Sequence, residues 1–393
     1  DLYILSGGIE NIFYKGAYQD ELLINKDGNF TISKDRIEST KIPGSKILTI
    51  DFDQDGDLDL FRTGQIDLRA YGRPVDSWLY SNEEGSFSSV LGPNFDDLKD
   101  LGMVTDAKVV DINNDQWPDI AVVGEWMEVT ILFNSLGKGF KKRSLIGSAG
   151  NWRSLVTGDF DNDGDLDLVA GNMGLNSGLN ASQEFPIRLF GYCPRGDTDC
   201  VGIMTAFYPS IDGKCVSFPI YSRSTMLKAL NNFQTIFPSY QAYAQFTTND
   251  LIRQKGDKIL YQNQIQTLNS SYFENQGSGN FKFKPLPKEF QWSSVEALLV
   301  FDFNDDGYLD LMGAGNNSGI NVTIGNLDAS KGILALGTGK GDFKVLPTHL
   351  LGDFLSGEVR DIKKVMVGEV PYLSTASNNG NLNFFKINPL FKW

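Results

Sequence analysis

Short apolar runs of three to five residues recur along the chain, separated by stretches rich in carboxylates or glycine. Ile47-Leu48-Thr49-Ile50, Lys108-Val109-Val110, Ser154-Leu155-Val156 and Leu298-Leu299-Val300 each lead into an acidic stretch. Another apolar run follows each acidic stretch and ends near a glycine. Runs this short, bounded by turn residues, read as strands. A second motif alternates with the first: a short strand, a polar turn with glycine, then an aromatic. It occurs at Lys26-Asp27-Gly28-Asn29-Phe30, Glu84-Gly85-Ser86-Phe87, Gly137-Lys138-Gly139-Phe140, Gly277-Ser278-Gly279-Asn280-Phe281 and Gly339-Lys340-Gly341-Asp342-Phe343. These predict hairpins. Acidic loop, two strands, glycine turn and strand make a four-stranded module of roughly 45–60 residues, the scale of a propeller blade. Helical spacing is confined to Thr225 through Phe233 and Tyr240 through Ala244, with Pro238 between them. It predicts a small helical insertion over 222–257, carried by one module.

The acidic stretches share one spacing: 51–59 (DFDQDGDLD), 111–119 (DINNDQWPD), 159–167 (DFDNDGDLD) and 302–310 (DFNDDGYLD). Carboxylates packed this closely repel one another unless a counter-ion sits among them. Oxygens at positions one, three, five and nine, with a backbone carbonyl at seven, can wrap one hard cation, and glycine at six permits the sharp turn. This is the first half of an EF-hand loop, and all-oxygen ligation favours Ca²⁺. The candidate ligands are Asp51, Asp53, Asp55 and Asp59; Asp111, Asn113, Asp115 and Asp119; Asp159, Asp161, Asp163 and Asp167; and Asp302, Asn304, Asp306 and Asp310. Three to four Ca²⁺ ions are expected, the fourth depending on 111–119, where Gln116 stands in place of glycine. A strand-like run begins at position ten, so these loops open into strands and not into an EF-hand helix.

The loops start at 51, 111, 159 and then 302, which leaves room for a degenerate copy. It is placed at 191–199, where Gly196 and Asp199 keep positions six and nine but Gly191, Cys193 and Arg195 replace the acids. This loop is not expected to hold calcium. The Arg195 guanidinium could take the metal's place, and Cys193 with Cys200 could staple the loop; the alternative is an ordinary surface turn with free thiols. The count of modules is seven: roughly 1–44, 45–103, 104–150, 151–190, 191–290, 291–350 and 351–393. The expected fold is an all-β, seven-bladed β-propeller with calcium loops and a small helical insertion. A ring of blades protects most strand edges.

The D-x-[DN]-x-D-G-x-x-D loops resemble the FG-GAP or VCBS repeats of integrin α-chain propellers and of many bacterial surface proteins. Gly102-Met103-Val104-Thr105-Asp106-Ala107, Val123-Gly124-Glu125-Trp126-Met127, Ala170-Gly171-Asn172-Met173-Gly174-Leu175-Asn176-Ser177 and Phe237-Pro238-Ser239-Tyr240 resemble segments of the large VCBS-repeat proteins of Bacteroidetes related to the ASPIC and UnbV proteins. That resemblance implies export to the cell surface and a neighbouring outer-membrane nutrient transporter. Such propellers serve adhesion, glycan binding and enzyme scaffolding alike, so it does not fix an activity.

Composition narrows the chemistry. The chain has 393 residues, 41% hydrophobic and 12% aromatic, which is enough for a folded core. Its net charge of −14 argues against a nucleic-acid partner. No run has the length of a membrane span, and no signal peptide is recognisable. Asp1-Leu2-Tyr3-Ile4-Leu5 reads like the exit of an acidic loop, which predicts a processed or truncated piece of a longer protein. One histidine, His349, excludes a multi-histidine metal site and makes a Ser-His-Asp triad improbable. No phosphate-binding glycine loop is present. With three cysteines, Cys193, Cys200 and Cys215, export would oxidise one pair and leave a third.

A binding surface is expected downstream of each loop, where equivalent strand ends of a propeller meet around the channel mouth. Glu10, Gln65, Glu125, Trp126, Asn172, Asn176, Asn316 and Asn378 are the candidates. Amides for hydrogen bonds and an aromatic face for stacking suit a glycan or peptide; the competing reading is that the Gly-Asn pairs are turn residues. The expected function is a non-catalytic, calcium-stabilised cell-surface binding or assembly module for a glycan, peptide or protein partner, accessory to an outer-membrane complex. The alternative is a propeller-fold polysaccharide lyase or hydrolase, which needs an acid–base pair facing a cleft.

Overall fold

A computed structural model of the chain describes residues 1–7, 18–33, 36–37, 40–197, 199–209, 213–230, 233–319, 324–351 and 355–387. Among these residues the apolar runs build seven antiparallel sheets. The first holds β1 (Leu2–Ile4), β2 (Glu21–Lys26) and β3 (Asn29–Ser33). The second holds β4 (Gly44–Ile50), β5 (Asp59–Gly64), β6 (Trp78–Glu83) and β7 (Ser86–Ser89). The third holds β8 (Met103–Val110), β9 (Asp119–Met127), β10 (Thr130–Asn134), β11 (Phe140–Ser144) and the short β12 (Gly150–Asn151).

The next sheet is split in sequence. It begins with β13 (Ser154–Gly158) and β14 (Asp167–Gly171). The chain then leaves it to form β15 (Ile187–Tyr192), β16 (Val201–Pro209), β17 (Cys215–Pro219), three helices and β18 (Ile259–Ile265), which make a sheet of their own in the order β17-β16-β15-β18. It returns with β19 (Ser271–Asn275) and β20 (Phe281–Pro285), and Leu168 pairs with Phe273 across the join. The fifth sheet of the series is β21 (Ala297–Phe301), β22 (Asp310–Ala314), β23 (Ile333–Gly337) and β24 (Phe343–Val345). The sixth is β25 (Val359–Val367), β26 (Val370–Ser377) and β27 (Leu382–Lys386).

Seven sheets are present, but the expected boundary at 190/191 falls inside β15, and 191–290 is not one module. The first strands β4, β8, β13, β21 and β25 lie side by side in that order. The first sheet joins the second through the Arg62–Asp20 ion pair (2.5 Å) and the Gly44 N–H to Ser6 carbonyl bond (2.9 Å). Six sheets therefore form the series, and the seventh is an insertion.

Side-chain alternation sets the packing. In β9, Ile120 and Val122 face Phe61 and Leu79 of the second sheet, while Ala121 and Val123 face Leu155 and Phe273 of the fourth. Both faces are covered, so β9 reads as a continuous apolar run. All five expected hairpins form. At Asp27-Gly28 and Glu84-Gly85 both central residues have positive φ (52° and 85°; 52° and 83°), the geometry that matches strand twist.

The helical insertion lies between β17 and β18. Helix α1 (Arg223–Ala229) is capped by the Ser222 side chain and α2 (Tyr240–Ala244) by Ser239; α3 (Thr248–Lys255), in the same insertion, opens on a capping box of Thr247 and Asp250. Phe190, Tyr192 and Ile203 of the inserted sheet pack against Met226, Phe233, Phe237 and Leu251 of this region. The opposite face of the sheet, with Leu189, Met204 and Ile265, packs on Met103, Trp126, Met173 and Leu327 from the series.

Candidate functional site

Each acidic loop joins the first strand of its sheet to the second: 51–59 links β4 to β5, 111–119 links β8 to β9, 159–167 links β13 to β14, and 302–310 links β21 to β22. Three loops curl around position one. Asp111 accepts the N–H groups of Asp115 and Gln116, Asp159 those of Asp163 and Gly164, and Asp302 those of Asp306 and Gly307. Position five accepts from position seven in all four, as Asp55 does from Asp57 and Asp163 from Asp165. Position four is left-handed throughout: Gln54 (φ 58°), Asn114 (58°), Asn162 (59°) and Asp305 (57°). These are short polar residues or glutamine, and Asn and Asp tolerate that conformation best. Sequence reasoning passed over this position, although its polar character was the available signal.

Position nine does more than the expected ligand role. Its two carboxylate oxygens accept backbone N–H groups from the loop entry and from the third strand. Asp59 takes Phe52 and Asn82, Asp119 takes Ile112 and Asn134, Asp167 takes Phe160 and Asn275, and Asp310 takes Phe303 and Gly337. All four carboxylates are buried. The asparagine that follows stitches sheet to sheet: Asn134 Nδ2 donates to the Phe52 carbonyl and Asn275 Nδ2 to the Ile112 carbonyl, both at 2.8 Å. Burial pushes the Asp119 and Asp167 carboxyls up to about 6, against the N–H groups that favour the charge.

Two of the four donor sets converge as a hard cation requires. Asp51, Asp53 and Asp59 each offer an oxygen within 4.8 Å of the others, and so do Asp159, Asp161 and Asp167. In the first loop, Asp51 Oδ1 and Asp53 Oδ1 are buried without a hydrogen-bond partner. Asp53 and Asp161 are held above the usual carboxylate range by burial and by the neighbouring carboxylates. These two loops fit Ca²⁺. The other two differ at position three. Asn113 Nδ2 donates to Asp115 Oδ2 and Asn304 Nδ2 to Asp306 Oδ2, both at 2.9 Å. A cation there competes with an existing hydrogen bond and meets one carboxylate fewer.

The 191–199 region departs from this plan. Cys193 and Cys200 form a disulfide, and Cys215 is free and exposed. Arg195 is exposed. The loop docks sideways instead: the Cys200 N–H donates to the Arg69 carbonyl at 2.8 Å, and Arg73 Nη2 donates to the Asp197 carbonyl at 2.6 Å.

The expected channel-mouth residues fall into three groups. Glu10 lies outside the described residues. Trp126, Asn172 and Asn316 are internal. Trp126 is 6% exposed and its Nε1–H donates to Tyr71 Oη. Asn172 is fully buried; its amide donates to the Thr267 and Asn269 carbonyls and accepts from Asn151 and Met173. Asn316 donates to the Ser330 and Gly357 carbonyls. All three spend their polar groups inside the protein, and Trp126 packs in one apolar cluster with the inserted sheet. Asn176 and Asn378 are exposed, and Gln65 borders a central cavity.

Glu125 belongs to a network that the sequence did not reveal. Tyr71 Oη–H donates to its Oε2 and Arg153 Nη1 to its Oε1, both at 2.6 Å. Arg153 also lies 3.9 Å from Glu296, which is 3.4 Å from Arg360, which in turn pairs with Glu358 at 2.9 Å. Carboxylates and guanidinium groups thus alternate across the third to sixth sheets. Burial opposes the Arg153 charge, but Glu125 and Glu296 outweigh it and raise its pKa. Hydrogen bonds from Ser318 and Asn378 hold the Glu358 carboxyl down at about 2.

Residues 111–170 match the FG-GAP-like repeat, a span that contains two of the acidic loops. No curated protein matches the chain. The biofilm matrix protein Bap1 of V. cholerae is similar over 92% of this chain and 72% of its own, at 8% identity and a TM-score of 0.32. BBS1N, solved in complex with ARL6DN, is similar over 88% of this chain and 92% of its own, at 12% identity and a TM-score of 0.22. Both scores are too low to carry an argument. These observations define an all-β protein that carries an FG-GAP-like repeat over residues 111–170.

Proposed function

We propose that this chain is a calcium-stabilised β-propeller, with the six serial sheets as blades, acting as a non-catalytic binding or assembly module of an exported protein. The observation that carries the reading is the pair of loops 51–59 and 159–167, whose carboxylates converge within 4.8 Å and leave Asp51 Oδ1 and Asp53 Oδ1 without a donor. Asp51, Asp53, Asp55 and Asp59, and their counterparts from Asp159 to Asp167, would hold the ions. Bound calcium supplies charge compensation. The chain's own part is to join two strands of a blade at each ion and, through position nine, to tie in the third. The Cys193–Cys200 disulfide supports an oxidising compartment. The finer resemblance to Bacteroidetes VCBS-repeat surface proteins supplies the outer-membrane setting of this proposal. A glycan, peptide or protein partner would meet Asn176, Asn378 and the inserted helical layer, where Tyr240 is 68% exposed.

The test is a metal titration of chelator-stripped protein, followed by elemental analysis and thermal melting. Two ions are expected to bind first, at 51–59 and 159–167, and two more weakly. Each site held at a hundred times its dissociation constant adds about 2.7 kcal/mol. A melting midpoint that does not move between excess chelator and millimolar calcium would sink the stabilising role.

A further inference from the structure

A cavity of about 440 Å³ lies where the first strands of the second to sixth sheets converge. Its wall is charged. Arg153, Glu296 and Arg360 belong to the network described above. Beyond them sit Lys46 from β4, Lys108 from β8 and Lys363 from β25, with Asp106 and Asp361. The arginines are matched by Glu125, Glu296 and Glu358. The three lysines have only two aspartates between them. Lys46 and Lys108 share Asp106 Oδ1 at 3.4 and 3.8 Å, and Lys363 lies 3.8 Å from Asp361 Oδ1. None of the three ammonium groups forms a hydrogen bond among the described residues. Asp106 is already occupied: Oδ1 accepts the Ala107 N–H and Oδ2 the Leu155 N–H. Burial, then Lys46 and Lys363, hold Lys108 below its usual value in spite of Asp106.

We propose that this cavity binds a small ligand bearing a tetrahedral oxyanion, a phosphate or sulfate group, with Lys46, Lys108 and Lys363 as its donors. Three ammonium groups offer nine N–H donors to one compact anion, and Lys108, with a side chain 28% exposed, is the least solvated of them. The chain's net charge is −14, so general attraction does not bring an anion here; only the local cluster does. The cavity is larger than a bare oxyanion, which leaves room for a small polar body such as one sugar ring. Lys363 and Asp361 have side chains 60% and 48% exposed, so the ligand enters beside β25. The site is made by the inner strands and does not depend on the acidic loops being metal-ligating.

The experiment is calorimetric titration of the calcium-loaded chain with inorganic sulfate and, separately, with a monosaccharide sulfate, at fixed ionic strength against chloride. Sulfate avoids the precipitation that phosphate brings with calcium. Saturable binding is expected, weakened at least tenfold in Lys108→Met and in Lys363→Gln, with melting midpoints in chloride showing that both variants fold. Lys363→Gln keeps the test valid if the more buried Lys108→Met fails to fold. Sugar sulfate binding as tight as sulfate or tighter, in spite of its single charge, identifies an ester ligand, and weaker binding identifies the free oxyanion. No saturable heat from either probe, or binding that Lys363→Gln leaves unchanged, overturns the proposal.

Discussion

The two ends of this array of sheets are built on different terms. At one end, four loops repeat the left-handed fourth position and the same carboxylate bonds at positions five and nine, so that Asp119 and Asp167 stand in matching places with matching partners. At the other, contacts change from sheet to sheet: Glu125 meets Tyr71 and Arg153, Asn172 meets the turn before β19, and the inserted sheet lies over Met103 and Trp126. The first end holds its sheets together by a device copied from one sheet to the next. The second is where copies have diverged, and it carries the charge network and the cavity. Repetition marks architecture, and departure from repetition marks where a specific function can be housed.

The comparison breaks most visibly at position nine. If Asp167 serves only a metal, Asp167→Ala in chelator should be mild. The structure says otherwise, because the Phe160 and Asn275 N–H groups and the Tyr272 hydroxyl all lose their acceptor in a fully buried place. Leaving buried donors unsatisfied costs about 1–3 kcal/mol each. A loss of roughly 3 kcal/mol or more in metal-free protein is expected from denaturant unfolding. A loss below about 1 kcal/mol would assign position nine to the ion alone.

The repeated end was legible for a physical reason. Hard-cation geometry fixes the oxygen spacing, and left-handed turn positions select glycine, so both leave marks within a dozen residues. The other end left no such marks. β14 pairs with β19 across the whole insertion, and no local pattern announces so distant a partner. Gly191 and Tyr192 belong to β15, yet aligning glycine and aspartate with a loop template turned them into a loop. Asn172 and Asn316 had the right chemistry for a ligand but spend it on backbone carbonyls. Amide side chains serve turns and ligands equally well, and only burial separates the two uses. Arg153, Glu296 and Arg360 come from three sheets, and a charge network assembled across sheets has no sequence spacing.

The diverged end is tested next by Arg153→Met. Its guanidinium lies between Glu125 and Glu296, with a side chain only 18% exposed. Removing the cation leaves two poorly solvated carboxylates facing each other. Breaking a buried pair from one side costs about 3–5 kcal/mol, and the partial exposure here moves the expectation to about 2 kcal/mol. The double variant with Glu125→Gln should recover part of that loss, since it removes one of the stranded charges. If the second substitution adds its own full penalty, the network does not act as a unit.

The smallest effect is the sharpest test of the repeat. Position six has φ 96° at Gly56, 94° at Gly164 and 88° at Gly307, and Gln116 adopts the same left-handed region at 71°. Its N–H still donates to Asp111 Oδ2 at 2.7 Å and its carbonyl still accepts Gln54 Nε2 at 2.7 Å. The backbone therefore follows the repeat while the side chain opposes it. A non-glycine residue in this conformation costs about 1–2 kcal/mol, and glycine returns part of that gain through the freedom it adds to the unfolded chain. Gln116→Gly should stabilise by about 0.5–1 kcal/mol, raising the melting midpoint by on the order of 1–2 °C. It keeps both backbone hydrogen bonds, so the gain should appear with and without calcium. A neutral or negative result would mean that the exposed glutamine side chain contributes an interaction of its own, and that 111–119 is a specialised loop and not a strained copy.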